Sequence, residues 1–212
     1  MAILAISDLH LPGRRSIETL VRRFGEAYRD HPNVLAANWR AAVQSEDTVL
    51  VAGDTCWGDT FRRAEEDLRL LDSLPGRKLL IQGNHDAWWQ KVVRMKTAAP
   101  SIFPTLDFLE PGEICELEDG SLLLAVGRFW SQAERDLGKL PRERPKTVLM
   151  HYPPNRDFFR LFAEHGARTC VFGHLHRDAA ESWQEPNERM IDGVRYVFGA
   201  GDALGWRLTR VG

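Results

Sequence analysis

The sequence predicts an α/β fold, a sheet of mainly parallel strands covered by helices with a strand-rich end. Three observations carry that expectation. Short apolar runs alternate with amphipathic stretches along most of the chain. The runs are continuous rather than alternating in polarity, the pattern of strands buried on both faces. Near its end the chain changes to a hairpin pattern, which with the βαβ beginning suits two sheets packed face to face. Its 212 residues are enough for one domain with a real hydrophobic core.

Residues 2–6 form the first apolar run and 48–52 the second, with a helix expected over 34–44 between them. The helix at 61–74 has the clearest signal. Phe61, Ala64, Leu68, Leu71 and Leu74 recur every three or four residues among Arg62, Arg63, Glu65, Glu66 and Asp67, and Pro75-Gly76 stops it. A strand at 78–81 and a helix at 87–98 follow, then a proline-containing surface loop at 99–112. Strands at 122–126, 147–150 and 169–172 come next, with a second surface loop at 138–146 and a helix at 156–165. Residues 190–198 read as a hairpin turning at Asp192-Gly193, and 206–211 suit a last strand.

Lys and Arg number 28 against 30 Asp and Glu, so the chain lacks the positive surplus of a non-specific nucleic-acid binder. Long nucleic acid is therefore not an expected partner. No apolar run is long enough to span a bilayer, and no membrane partner is expected. The first residues have no basic region and read as a strand rather than a signal peptide. Cys56, Cys115 and Cys170 form no close-spaced pair, which suits a reducing compartment, the cytoplasm.

Histidine placement carries the chemistry. Of seven histidines, His10, His85, His151, His174 and His176 lie just beyond expected strands, whereas His31 and His165 read as structural residues flanking helices. The first group sits in Ser7-Asp8-Leu9-His10, Gly83-Asn84-His85-Asp86, Met150-His151-Tyr152 and Gly173-His174-Leu175-His176, and a further strand end carries Ala52-Gly53-Asp54. Side chains at i and i+2 of extended backbone point the same way, so Asp8 with His10, and His174 with His176, are expected to share a site. Glycines before Asp54, Asn84 and His174 let the chain turn sharply. Ligands in covered α/β sheets bind beyond the carboxyl ends of strands. Any one of these residues alone reads as an ordinary turn or hydrogen-bonded side chain; their joint placement points to metal. Asp8, His10, Asp54, Asn84, His151, His174 and His176 are too many for one ion and suit two divalent ions sharing a carboxylate. Two ions about 3.5–4 Å apart form a clamp for in-line phosphate ester hydrolysis.

In this order, Asp-x-His, Gly-Asp, Gly-Asn-His-Asp, a lone His and Gly-His-x-His, the chain resembles the calcineurin-like metallophosphoesterase family over residues 3–176. The resemblance implies a single domain over 1–212: a two-sheet β-sandwich flanked by helices in four layers, αββα, with the 190–198 hairpin in the second sheet and no large cap domain. It implies one ion held by Asp8, His10, Asp54 and His176, and another by Asp54, Asn84, His151 and His174. The pair are expected to be transition metals, first of all Mn, with Fe, Ni, Co and Zn also suited to these donors. A hydroxide bridging the ions would attack phosphorus, Asn84 would help offset phosphoryl charge, His85 would act as general acid, and Asp86 would orient His85 through a carboxylate–imidazole bond. Where many relatives carry a second Asp or Asn after Gly-Asp, this chain has Trp57, with Asp59 nearby.

The expected partner is a small phosphorylated substrate in a pocket shaped by loops. Candidate lining residues are Trp57, Trp88, Trp89, Arg128, Trp130 and Arg156, since aromatic faces stack on rings and Arg binds phosphate. Core packing explains any single Trp equally well. The rival expectations are a phosphodiesterase or nuclease, and a non-catalytic metal-dependent interaction module.

Overall fold

In the computed structural model, residues 1–94, 102–176, 183 and 187–212 are described. The first sheet has the order β11-β1-β2-β3-β4, built from β1 (Ile3–Ile6), β2 (Thr48–Val51), β3 (Arg77–Ile81), β4 (Leu106–Leu109) and β11 (Thr209–Arg210). β1 to β4 run parallel and β11 pairs antiparallel with β1. The second sheet has the order β5-β6-β7-β8-β10-β9. Its strands are β5 (Ile114–Glu116), β6 (Leu122–Val126), β7 (Lys146–Met150), β8 (Ala167–Phe172), β9 (Glu188–Ile191) and β10 (Val194–Phe198). β6, β7, β8 and β10 are parallel, and β5 and β9 close the two edges antiparallel.

Strand periodicity explains the layers. Ile3, Ala5, Leu50, Ala52, Leu79 and Ile81 meet Leu123, Ala125, Leu149, Val171 and Val197 between the sheets. Their neighbours point outward. Leu4, Ile6, Val49, Val51 and Leu80 pack under α1 (Ile17–Phe24), α2 (His31–Ala42), α3 (Phe61–Ser73) and α4 (Trp89–Arg94). Leu124, Val148, Met150, Cys170 and Phe172 pack under α5 (Trp130–Leu137) and α6 (Arg156–Glu164). This is the four-layer αββα arrangement, and it accounts for the unbroken apolar runs: both strand faces are covered.

The hairpin turns where expected, with both Asp192 (φ 50°) and Gly193 (φ 81°) left-handed, and it joins the second sheet. Other elements depart from the sequence reading. The 99–112 region is not simply a surface loop: β4 runs through it, and Leu106 and Phe108 enter the core between two prolines. Helix α1 is a further element beyond that reading: Ile17, Leu20, Val21 and Phe24 recur every three or four residues, and Ser16 caps it by accepting from the Thr19 N–H. Strand β5 has no fully buried residue, and α5 starts at exposed Trp130. The expected helix at 87–98 is seen as α4, and its last residues, like 99–101 of the loop, lie outside the described residues. Among the described residues no helix is long and apolar enough to cross a membrane.

Candidate metal centre

Both sheets deliver their strand ends to one edge. Asp8 and His10 follow β1, Asp54 follows β2, Asn84 and His85 follow β3, His151 follows β7, and His174 and His176 follow β8. Asp8 (φ 54°), His10 (φ 43°), Asp54 (φ 53°) and His174 (φ 70°) all lie in the left-handed region, which side chains rarely adopt. Strand alternation therefore does not aim Asp8 and His10 together, as the sequence suggested; local kinks do. Those kinks are held by backbone bonds, from Asp8 N–H to the Gly53 carbonyl and from His10 N–H to the Asp54 carbonyl, both 3.0 Å. Strain of this kind persists where surrounding structure fixes it, typically at functional sites.

Glycine supplies space as well as turns. Gly53 is itself left-handed (φ 90°). A Cβ on Gly83 would collide with the Asp54 carboxylate, and one on Gly173 with Ser7 Oγ and Asp8 Oδ2. At the second of these contacts the end of β8 in the second sheet meets the end of β1 in the first.

The side chains gather into two groups, Asp8, His10 and His176 in one, Asp54, His151 and His174 in the other. Asn84 belongs to the second: its Oδ1 is 2.8 Å from His151 Nε2 and 2.9 Å from His174 Nδ1. Asp54 stands between the groups, with Oδ2 3.6 Å from His10 Nε2 and 3.5 Å from His151 Nε2. Its other oxygen accepts from the His85 N–H at 2.8 Å. Asp8 Oδ2 is likewise engaged, by Ser7 Oγ at 2.5 Å and the His174 N–H at 2.8 Å. The remaining donors are orphaned. Asp8 Oδ1, Asp54 Oδ2 and both ring nitrogens of His10 are buried without a hydrogen-bond partner among the described residues. Buried polar atoms are ordinarily satisfied, so converging lone pairs from both groups fit a pair of divalent cations.

Electrostatics point the same way. Burial pushes the Asp8 and Asp54 carboxyls up to about 6. Burial also holds His10 well below its ordinary value and lowers His151. His174 falls to about 4 through burial and then the neighbouring His151. A cation among these donors reverses the cost to the carboxylates and favours the neutral imidazoles already present.

A family model for calcineurin-like phosphoesterases matches residues 1–178. The chain belongs to that family. As a metal-dependent phosphoesterase it has relatives among curated and solved proteins. It is 26% identical over 207 residues to a probable cyclic nucleotide phosphodiesterase of Coxiella burnetii, covering 86% of this chain and 79% of that one. It is 33% identical over 107 residues to the Gene 66 protein of Mycobacterium phage L5, covering 44% of this chain and only 50% of the phage protein's length. Among solved structures, TT1561 of Thermus thermophilus superposes with a TM-score of 0.66 at 15% identity, over 99% of this chain and 97% of that one. The phosphopantetheinyl hydrolase of Mycobacterium tuberculosis gives 0.59 at 17% identity, over 99% and 95%. These share the fold. Family and geometry together suggest a dinuclear metal site in this phosphoesterase.

The remaining candidates divide. His85 is half-buried beside the first group, its ring centroid 5.6 Å from that of His10 and 4.3 Å from that of Trp57. Burial, and then the charge of Arg23, lowers its pKa. Asp86 does not orient it. The Asp86 carboxylate is wholly buried and accepts from the backbone N–H groups of Thr55 at 2.9 Å, Cys56 at 3.3 Å and Gly83 at 2.9 Å. It ties the Asp54 loop to the Asn84 loop, and among the described residues no bond joins it to the His85 ring. Trp57 is buried beside the first group, stacked on His10 at 4.6 Å. Trp88 and Trp89 are core residues packed with Phe108, away from the lining of the cavity beside Asn84.

A cavity of about 300 Å³ opens beside Asn84 and His151, between the ends of β3, β6 and β7. Ile81, Leu109, Pro111 and Val126 form its apolar wall, and Arg128 is among its lining residues. The Arg128 guanidinium lies 5.3 Å from the Tyr152 ring centroid, a cation–π contact at the cavity. Arg156, exposed at the start of α6, is not among the cavity's lining residues. Trp130 lines a separate cleft with Glu134 and Arg160.

Two residues of the site escaped the sequence reading. Asp202 Oδ2 is 3.2 Å from His176 Nδ1, and this bond raises the His176 pKa. Arg23 stacks over Trp57. Asp202 follows the last long strand, so Phe198-Gly-Ala-Gly-Asp202 repeats the strand–glycine–acid signal seen at Asp54. His31, expected to be structural, is indeed buried, with its ring nitrogens 3.0 Å from the carbonyls of Tyr28 and His10, and so braces the His10 kink.

Proposed function

We propose that residues 1–212 act as one unit that hydrolyses small phosphate esters at two divalent transition-metal ions, manganese foremost. Asp8, His10, Asp54 and His176 would hold one ion, and Asp54, Asn84, His151 and His174 the other, with Asp54 shared. When bound, the ions supply Lewis acidity, offsetting phosphoryl charge and lowering the pKa of the attacking water. His85 donates a proton to the departing oxygen. A phosphate anion beside its ring favours the imidazolium and opposes the lowering caused by burial and Arg23. Asn84, exposed at the mouth between His151 and the cavity, is placed to hydrogen-bond the ester as well as to ligate.

The observation that carries this reading is the set of orphaned, buried donor atoms on Asp8, His10 and Asp54. Reconstitution with Mn is expected to approach two ions per chain, against one or none if the grouping is accidental. Asp54→Asn is expected to lose metal from both sites, whereas His85→Ala retains it; metal loss in the His85 variant overturns its assignment.

A second reading, phosphodiester hydrolysis, draws on the Coxiella relative's description as a probable cyclic nucleotide phosphodiesterase. Phosphomonoesters, cyclic nucleotides and linear diesters assayed with Mn, Co, Ni and Zn separate the two readings. Turnover of none of them overturns both and leaves a metal-dependent interaction module.

A further inference from the structure

On the His85 side of the centre the structure places a cation that no carboxylate neutralises. Arg23, in the last turn of α1, is exposed. Its guanidinium carbon lies 5.1 Å from the ring centroids of both Phe24 and Trp57. Those rings stack on each other at 5.0 Å, and Trp57 in turn packs against His85. Among the described residues Arg23 makes no ion pair and donates no hydrogen bond, although Arg14, Arg29, Arg63 and Arg69 each find an acid.

An arginine usually loses much rotamer freedom when it binds a ligand. Here two aromatic faces already hold the group, and its planar fork of five N–H donors is unfilled. It is thus an anion receptor with its ordering cost largely met. Helix α1 does not need Arg23 for its C-terminal dipole, since Arg22 is in the same turn. The cavity beside Asn84, in contrast, has an apolar wall and lies on the Asn84–His151 side. The arginine on that flank, Arg128, lies over Tyr152 beside Asn84 and His151, whereas Arg23 stands on the His85 side.

We propose that Arg23 is a specificity-determining residue that binds a second anionic group, a carboxylate or phosphate, on the departing part of the substrate. This rests on His85 being the acid on the departing side. Water oxygen bonds to phosphorus and gives up one proton to solvent, the P–O bond to the departing group breaks, that oxygen takes the His85 proton, and His85 regains a proton from solvent; Arg23 exchanges no proton. The substrate class is then a phosphate ester or anhydride whose alcohol or acid product is itself anionic.

The test uses two matched, non-hydrolysable probes, 3-phosphonopropionate and propylphosphonate, titrated calorimetrically into the full chain loaded with Mn. They differ in a terminal carboxylate. The wild-type protein is expected to bind the carboxylate-bearing probe about 10-fold tighter or more, the scale of one charge-assisted hydrogen bond. Arg23→Gln should remove that preference while binding propylphosphonate as before, and Arg23→Lys should restore part of it. An equal preference in the wild-type and Arg23→Gln proteins, or none in the wild type, overturns the assignment of Arg23. Failure of the metal-loaded protein to bind either phosphonate overturns the hydrolase reading itself and the Arg23 proposal with it.

Discussion

At the scale of single residues, the side chains behind the donors set how well the donors are held. Asp202 fixes the ring of His176 through Nδ1 and leaves Nε2 for the first group. Removing such a support typically costs 10–100-fold in metal affinity. Asp202→Asn is accordingly expected to weaken binding of one ion by about that factor and leave the other within about twofold, which a metal titration would resolve. His85 makes a different prediction. A positioned general acid is worth roughly 10²–10⁴ in rate, and most where the departing oxygen is a poor leaving group. His85→Ala should therefore slow alkyl phosphate turnover far more than p-nitrophenyl phosphate turnover; equal losses would point to charge stabilisation in place of proton donation. The donors were legible in the sequence because each lies in a short motif next to an apolar run. The role of Asp86 was not, because its proximity to His85 in sequence says nothing of the Thr55 and Cys56 N–H groups of another loop that bond to its carboxylate. Nor was Asp202, whose partner lies 26 residues away.

At the scale of elements, loops are pinned to helices by buried polar contacts. The Asp67 carboxylate on α3 accepts from the Gly13 N–H at 2.6 Å, seating the turn that follows His10. Burial raises the Asp67 carboxyl from 3.8 to about 6. The folded state thus favours the protonated form. Its contribution is full below the unfolded value and is lost as pH rises towards and through about 6. Asp67→Asn mimics the neutral form and still accepts the bond. The stability of this variant relative to wild type is expected to increase between about pH 4.5 and about pH 7.5 in metal-free urea titrations; an invariant difference would show that Asp67 titrates alike in both states. Long amphipathic helices such as α3, and strands covered on both faces, announced themselves. Strand β5, with no buried residue, did not, because its burial is too slight to impose a pattern. Helix α1 carries the helical period at Ile17, Leu20, Val21 and Phe24, but over only eight residues, too short a run to stand out. Strand β4 was hidden by flanking prolines that read as loop. The cost was functional, since α1 carries Arg23.

At the scale of the whole molecule, the centre lies across the junction of the two sheets, with Asp8, His10, Asp54 and Asn84 from one and His151, His174 and His176 from the other. Ions bound there stabilise the folded chain by mass action, about 2.7 kcal/mol at a free-metal concentration of 100 Kd. Chelation is expected to lower Tm, and Asp54→Asn should abolish most of that metal-dependent difference; an equal metal-dependent shift in this variant would place the stabilising ions elsewhere. The β8 end meets the β1 end at Gly173, where a methyl group would strike Ser7 and Asp8. That glycine makes the junction a vernier. The two sheets, slabs joined at their ends by the Ser7 N–H to the Gly199 carbonyl and the Gly201 N–H to the Ser7 carbonyl, must be in register there for both donor groups to exist, and a slip between them need not unpair the strands within either sheet. Loss of alignment and loss of secondary structure are then different events. In urea, metal content should fall at a lower concentration than far-ultraviolet ellipticity, and Gly173→Ala should produce the first loss without denaturant while leaving the ellipticity of both slabs in place. Coincident transitions, or a Gly173→Ala protein that retains its metal, would mean that the slabs do not move independently.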